Sequence, residues 1–472
     1  MDIANAVFKR QFSMSMYKNL KLPLGEMTFT KDFVSDKRGD LYPVIEKTPD
    51  CEERVCHNRY QVLNGSAERW LGQFFPYATY EMHFSTEMGE CGFGFSIRDA
   101  KAVIMRKGHE IFFACGRQQE KAMIDPLVDA DTLIVSCRPG AFDVFVSINE
   151  KPELVQTFRT EAFAYSHALD VFSNGYASVV ADGGVMINSV QFYIDNGISM
   201  ADIRPIRYEN GRVMTEQGKI YFTASIRMQA ETFQGVFSCT PGTADVQLTG
   251  ALFYDAGDGL WCGDVAASVL YHRQKRCWYL WVCCFHHGHI LAHSVFEGDP
   301  RFGVNVIDIE LMEKAEDGSD ISTFAGFAGD EDPDFFYDEE RGKWLMAICR
   351  LDPANRKYRY VFFESDRPFD GYACIGKGQP GEETGGSFVK IEGEQHFVCG
   401  NSFSAVSDYR IYRRDGMHNA RFDFPDGGFR GWGTVIPVVQ GSRIRYYWLT
   451  FDRHNGSDYN WSYGNFYCYE AR

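Results

Sequence analysis

From Ser66 to Asn196 the chain runs in short stretches of alternating apolar and polar residues. Ala78-Thr79-Tyr80-Glu81-Met82-His83-Phe84, Gly92-Phe93-Gly94-Phe95-Ser96-Ile97 and Phe142-Asp143-Val144-Phe145-Val146-Ser147-Ile148 are examples. A period of two places neighbouring side chains on opposite faces of a strand. Gly, Pro, Asn and Asp separate the stretches, and this punctuation predicts an antiparallel β-sandwich over residues 66–197. Residues 1–65 show no such rhythm. Lys31, Asp32, Lys37, Arg38 and Asp40 make them polar, Pro23 and Pro43 interrupt them, and they read as an irregular lead-in. Asp195-Asn196-Gly197 is a turn signal that closes the sandwich.

Beyond it the pattern becomes a repeat. Gly263-Asp264 and Gly329-Asp330 open two segments that align without a gap, through Val269-Leu270-Tyr271 and Phe335-Phe336-Tyr337 to Trp278-Tyr279-Leu280 and Trp344-Leu345-Met346. Further starts fall at Asp202, at Glu382-Glu383 and at Gly433-Thr434. Residues 198–472 have about the length of five four-stranded blades. The predicted class is all-β: an N-terminal antiparallel β-sandwich of jelly-roll type, then a C-terminal five-bladed β-propeller. In a ring of such units the residues that open each blade face a common centre, and here four of the five openings carry an acid.

Composition supports this picture. Aromatic residues make up 15% of the 472, and Gly (45) far outnumbers Pro (16), as many strands and tight turns require. The formal net charge of -16 argues against a nucleic-acid partner, which needs a basic surface. No apolar run approaches the roughly 20 residues that span a bilayer, so no membrane partner is expected. Met1-Asp2-Ile3-Ala4-Asn5 lacks a basic-then-apolar leader, which predicts a cytoplasmic protein. The 14 cysteines lack metal-type spacing and are expected as free thiols. Phe285-His286-His287-Gly288-His289, followed by His293, lacks a well-spaced third ligand and a defined acid. Neither a metal nor another cofactor is expected.

The blade openings resemble those of the five-bladed β-propeller glycoside hydrolases, the superfamily of glycoside hydrolase families 32, 43 and 68. Met200-Ala201-Asp202-Ile203-Arg204-Pro205 is similar to that superfamily's first-blade aspartate motif. Asp332-Pro333-Asp334-Phe335-Phe336-Tyr337-Asp338 resembles its Asp-Pro motif, and Glu331-Asp332-Pro333 its Glu-Gly-Pro motif with Asp in place of Gly. The sandwich is similar in pattern to concanavalin- or laminin-G-like jelly rolls. The Asp-Pro motif falls in the third blade and the sandwich precedes the propeller, both departures from the fructan-cleaving families.

The resemblance implies hydrolysis of an oligosaccharide at a terminal sugar, with a furanoside such as arabinofuranosyl or fructofuranosyl as the expected residue. Such chemistry needs one carboxyl group that stays protonated to donate to the leaving oxygen, and another that attacks or activates water. A third carboxylate raises the acid's pKa and orients it. Asp202 is the candidate base or nucleophile and Asp264 the candidate orienting acid. Asp330, Glu331, Asp332 and Glu383 are the candidates for the general acid. Trp261 is a candidate for stacking on a sugar ring, and His287, His289, Arg204, Arg350 and Arg453 for binding its substituents. A non-catalytic carbohydrate-binding protein, or a phosphorylase or lyase on the same propeller, is the alternative.

Overall fold

The computed structural model describes residues 2–30, 33–34, 42–85, 89–125, 130–148, 151–315, 320–401, 409–423, 432–451 and 464–472. The chain forms two compact units. One comprises Met1–Leu20, Asn196–Asp258 and Cys262–Arg472; the other comprises Lys21–Asp195 with Gly259–Trp261.

The second unit holds a seven-stranded and an eight-stranded sheet. In both, every pairing is antiparallel. Their facing surfaces meet through stacked and edge-on rings, with Tyr80 5.0 Å from Phe95, Phe95 5.2 Å from Phe142 and Phe113 5.0 Å from Phe158. The alternation read in the sequence is this inward aromatic face. Four of the strands, Lys21–Met27, Val44–Lys47, Glu52–Cys56 and Arg59–Asn64, come from the stretch expected to be a lead-in. Lys21–Met27 and Glu52–Cys56 bury little, so their sequences carry little apolar rhythm.

The first unit is a five-bladed propeller. Its blades begin at Ser199–Pro205, Val265–His272, Glu331–Asp338, Glu383–Ile391 and Thr434–Gln440. These first strands adjoin one another in chain order, and the fifth returns to the first. Blade 5 is completed from both ends of the chain. Val7–Ser15 pairs antiparallel with Asn465–Ala471, and Arg421–Phe422 lies parallel beyond it. Residues 1–20 are therefore propeller, not lead-in. Apolar clusters fill the spaces between neighbouring blades: Trp278 and Leu252 between blades 1 and 2, Trp281, Phe335 and Phe397 across blades 2 to 4, and Trp448 and Val398 between blades 4 and 5.

Four of the five first strands share a distortion near their start. Pairing with the second strand skips a residue between Ala201 and Arg204, Val265 and Ser268, Glu331 and Asp334, and Thr384 and Ser387. Inside each bulge one residue takes a left-handed backbone: Asp202 (φ 53°), Ala266 (φ 59°), Asp332 (φ 50°) and Gly385 (φ 60°). Bulges re-aim a side chain out of the regular pleat. Asp and Gly tolerate this conformation better than most residues.

Candidate active site

The bulges sort the blade-opening acids into two registers. Asp202 and Asp332 occupy the bulge itself. Asp264, Asp330 and Glu383 stand two residues ahead of it in their own blades. The aligned Gly-Asp pairs are thus structural equivalents, but they are not equivalents of Asp202.

A cavity of about 340 Å³ opens among the first strands, lined by Asp202, Glu331, Asp332 and Glu383 together with Arg227 and Trp432. Asp202 is buried and accepts hydrogen bonds from Trp432 Nε1 at 2.8 Å and Ser225 Oγ at 2.7 Å. The Arg227 guanidinium lies 3.7 Å away. Burial pushes the Asp202 carboxyl up and the nearby Asp332 charge pushes it further; Arg227, Arg204 and Ser225 offset only part of this. Asp332 accepts from Thr384 Oγ1 at 2.6 Å and the Gly385 amide at 2.8 Å. Its other oxygen is 3.2 Å from the fully buried Arg204, whose Nε donates to the Gly386 carbonyl at 3.3 Å.

Two glutamates face the same space. Glu383 is fully buried and held on both oxygens: the Tyr360 amide donates at 3.0 Å, Arg410 at 3.1 Å, and the Tyr412 hydroxyl also donates. Burial still outweighs these donors and raises its pKa. Glu331 is half-buried, with His289 Nε2 3.1 Å from its Oε1 but off the hydrogen-bond direction. Its pKa is also raised, by burial first, with Asp332 and Asp202 adding to it against His289.

The remaining candidates lie elsewhere. Asp264 does not line the cavity; its neighbours Val265 and Ala266 do. It is fully buried and bonded to the His286 ring at 2.9 Å and the His286 amide at 3.2 Å. Burial pushes it up, but the bonds from His286 and the nearness of the His287 ring outweigh burial and hold it at about 2. His286 is raised in turn to about 10, chiefly by Asp264 and Glu231. Cys262, Asp264 and His286 bring potential ligand atoms within 4.8 Å of one another. Asp330 is locked by Arg350, at 3.0 and 3.1 Å, and by the Phe327 amide. Arg350 also donates to the carbonyls of Ile321, Thr323 and Ala325, so neither member of this pair is available to a sugar. Trp261 belongs to the second unit, where it packs against Phe172 with ring centres 4.5 Å apart, and it does not line the cavity. His287 turns to Asp258 at 3.1 Å. Arg453 lies outside the described residues.

Sequence reasoning missed Arg227, Trp432 and Thr384. Trp432 had one usable signal, because it precedes Gly433-Thr434, the fifth blade opening, as the acids precede or open theirs. Its indole packs directly on Gly385, where any Cβ would fall inside the ring.

No family model and no curated protein matches the chain. Among solved structures it is similar to an exo-β-1,3-galactanase from Clostridium thermocellum, at 13% identity over 56% of this chain and 59% of that one, TM-score 0.41. It is also similar to a B. subtilis levansucrase variant (9% identity, 57% and 82% covered, TM-score 0.39). A third is an α-L-arabinofuranosidase from Podospora anserina (12% identity, 59% and 92% covered, TM-score 0.39). The chain spans 59% of the galactanase's length.

Proposed function

We propose that this protein is a glycoside hydrolase that removes a terminal sugar from an oligosaccharide. One observation carries the reading: acids from three separate blades, Asp202, Asp332 and Glu383, converge on a single cavity. Several buried carboxylates sharing one site cannot all ionise freely, and this separates the acid and base roles needed for glycosidic cleavage. Asp202, fixed by two donors, is the nucleophile or general base. Asp332, held by blade 4, orients the site and repels the neighbouring negative charges. Glu383 is the general acid, because its carboxyl is both raised and immobilised by three donors, and rigid placement is what catalysis demands. Glu331 is the rival acid; its pKa is raised as well, but its carboxyl is half-open and loosely held. A cavity of about 340 Å³ sits at the small end of ligand pockets, roughly 300–1,000 Å³, and suits one terminal residue. The resemblance of the blade openings makes a furanoside the expected residue.

The test is a screen of nitrophenyl glycosides and oligosaccharides, with arabinofuranosides and fructofuranosides foremost and with and without phosphate. Asp202→Asn, Asp332→Asn and Glu383→Gln serve as controls. Sugar binding without turnover would replace this reading with a carbohydrate-binding protein. Turnover only with phosphate would make it a phosphorylase. An unsaturated product would make it a lyase.

A further inference from the structure

Just behind the cavity wall formed by Val265 and Ala266 lies a second, unrelated cluster. Val265 pairs with Cys283, so the segment entering the first strand of blade 2 runs beside the one leaving the second. The first carries Cys262 and Asp264, the second His286 and His287. Cys262, Asp264 and His286 have ligand-type atoms within 4.8 Å of one another.

Two buried atoms here have no hydrogen-bond partner: Asp264 Oδ2 and His287 Nδ1. They face each other at 3.9 Å. A buried carboxylate oxygen and a buried imidazole nitrogen without partners are each costly, so a cation between them would satisfy both. His287 Nε2 meanwhile lies 3.1 Å from Asp258 Oδ2. A metal-bound histidine typically has this arrangement, donating its outer N–H to a carboxylate that fixes its tautomer.

We propose that Cys262, Asp264, His286 and His287 form a binding site for one zinc ion. One thiolate, one carboxylate and two imidazoles are a zinc-type donor set, and tetrahedral zinc places such atoms roughly 3.3–3.7 Å apart. The ligand atoms of Cys262, Asp264 and His286 need about an ångström of side-chain contraction to reach that shell, and His287 Nδ1 joins them from 3.9 Å off Asp264 Oδ2. Binding displaces the Cys262 thiol proton and any proton on His286, and both pass to solvent. None of the four residues lines the cavity, so the ion is structural. It pins the segment that holds Val265 and the left-handed Ala266 in the cavity wall.

The experiment is metal analysis of the full chain as purified, after chelation, and after dialysis against zinc. One equivalent of zinc, a melting temperature that falls on chelation and recovers with zinc, and a thiolate-to-cobalt charge-transfer band after cobalt substitution are expected. Cys262→Ser should abolish that band, and Asp258→Asn should weaken zinc affinity by about 10- to 100-fold. Asp258 lies on the exposed side of the cluster, so that variant reads the site even if Cys262→Ser does not fold. Failure of the chelated protein to take up stoichiometric zinc would overturn the proposal. So would a cobalt band that survives Cys262→Ser.

Discussion

Trp432 Nε1 donates to Asp202 Oδ1 at 2.8 Å, so the last blade of the propeller sets the carboxylate of the first. This hydrogen bond favours the ionised form of Asp202, the form needed in a base or nucleophile. In Trp432→Phe the donor is gone and the carboxyl pKa rises. The acidic limb of the kcat/KM profile should then move to higher pH, with a loss of about tenfold near the parent's optimum. An unmoved acidic limb would remove Asp202 from the base role.

Glu383 and Glu331 can be told apart by leaving group. A general acid matters most when the departing oxygen is a poor leaving group. Glu383→Gln should lose about 10²–10⁴-fold on an oligosaccharide but far less on a nitrophenyl glycoside. Glu331→Gln should affect both substrates alike. The reverse pattern would move the acid to Glu331. Tyr412→Phe removes a donor from the ionised Glu383, so the acid's pKa rises and the alkaline limb of the profile should shift upward.

Gly385 has φ 60° and lies against the Trp432 indole. Gly385→Ala adds strain and a Cβ inside that ring, for a loss of about 2–4 kcal/mol. Thermal unfolding should register the loss, and tryptophan emission should report the displaced indole. Trp432→Ala combined with Gly385→Ala should recover part of the stability while remaining inactive.

Asp330 and Arg350 are each about 1% exposed. Asp330→Ala strands a buried guanidinium and should cost about 3–5 kcal/mol. Asp330→Leu with Arg350→Met removes both charges and should cost much less. Denaturant unfolding of the two variants measures the difference. Equal losses would show that packing, not charge, dominates at that position.

In the sandwich, Glu53 accepts from Arg69 Nε at 2.8 Å and from Tyr60. Burial pushes it up, but Arg69, Tyr60 and Lys47 outweigh burial and hold it at about 2. A depressed folded pKa stabilises above the unfolded value of about 4.5, and that contribution is lost as pH falls toward 2. Glu53→Gln should lower stability at neutral pH and flatten this acid limb, as seen in melting temperatures across the range.

The blade openings were legible because each inner strand is buried on both faces at least over its first half and begins after a turn residue. The sandwich was legible from period two. Which acid faces the cavity was not, because the bulge that aims Asp202 and Asp332 leaves no mark in the sequence, and Glu383 lines the cavity from the same pre-bulge position at which Asp264 and Asp330 turn away. Asp264 and Asp330 align in sequence with the pattern expected of a site, yet they sit two residues before the bulge and turn to His286 and Arg350. Asp202 and Asp332 sit within it. Local sequence gives little warning of such a bulge, since Ala266 adopts the same conformation as Asp332 and Gly385. Arg227 lies at the far end of an ordinary strand, Lys219–Arg227, with no pattern to mark it. The zinc-type cluster was hidden for another reason: its ligands come in pairs from two segments more than twenty residues apart, while the histidine run draws the eye to one.

The N-terminal strand Val7–Ser15 hydrogen-bonds to Asn465–Ala471. It leaves the ribosome long before its partner is made. During synthesis the intervening strands can pair while this one waits with its edge exposed. Their pairing joins two segments more than 400 residues apart, and closures over such separations are intrinsically slow. The time the nascent protein spends vulnerable to aggregation is thus set by the length of the chain between those two strands.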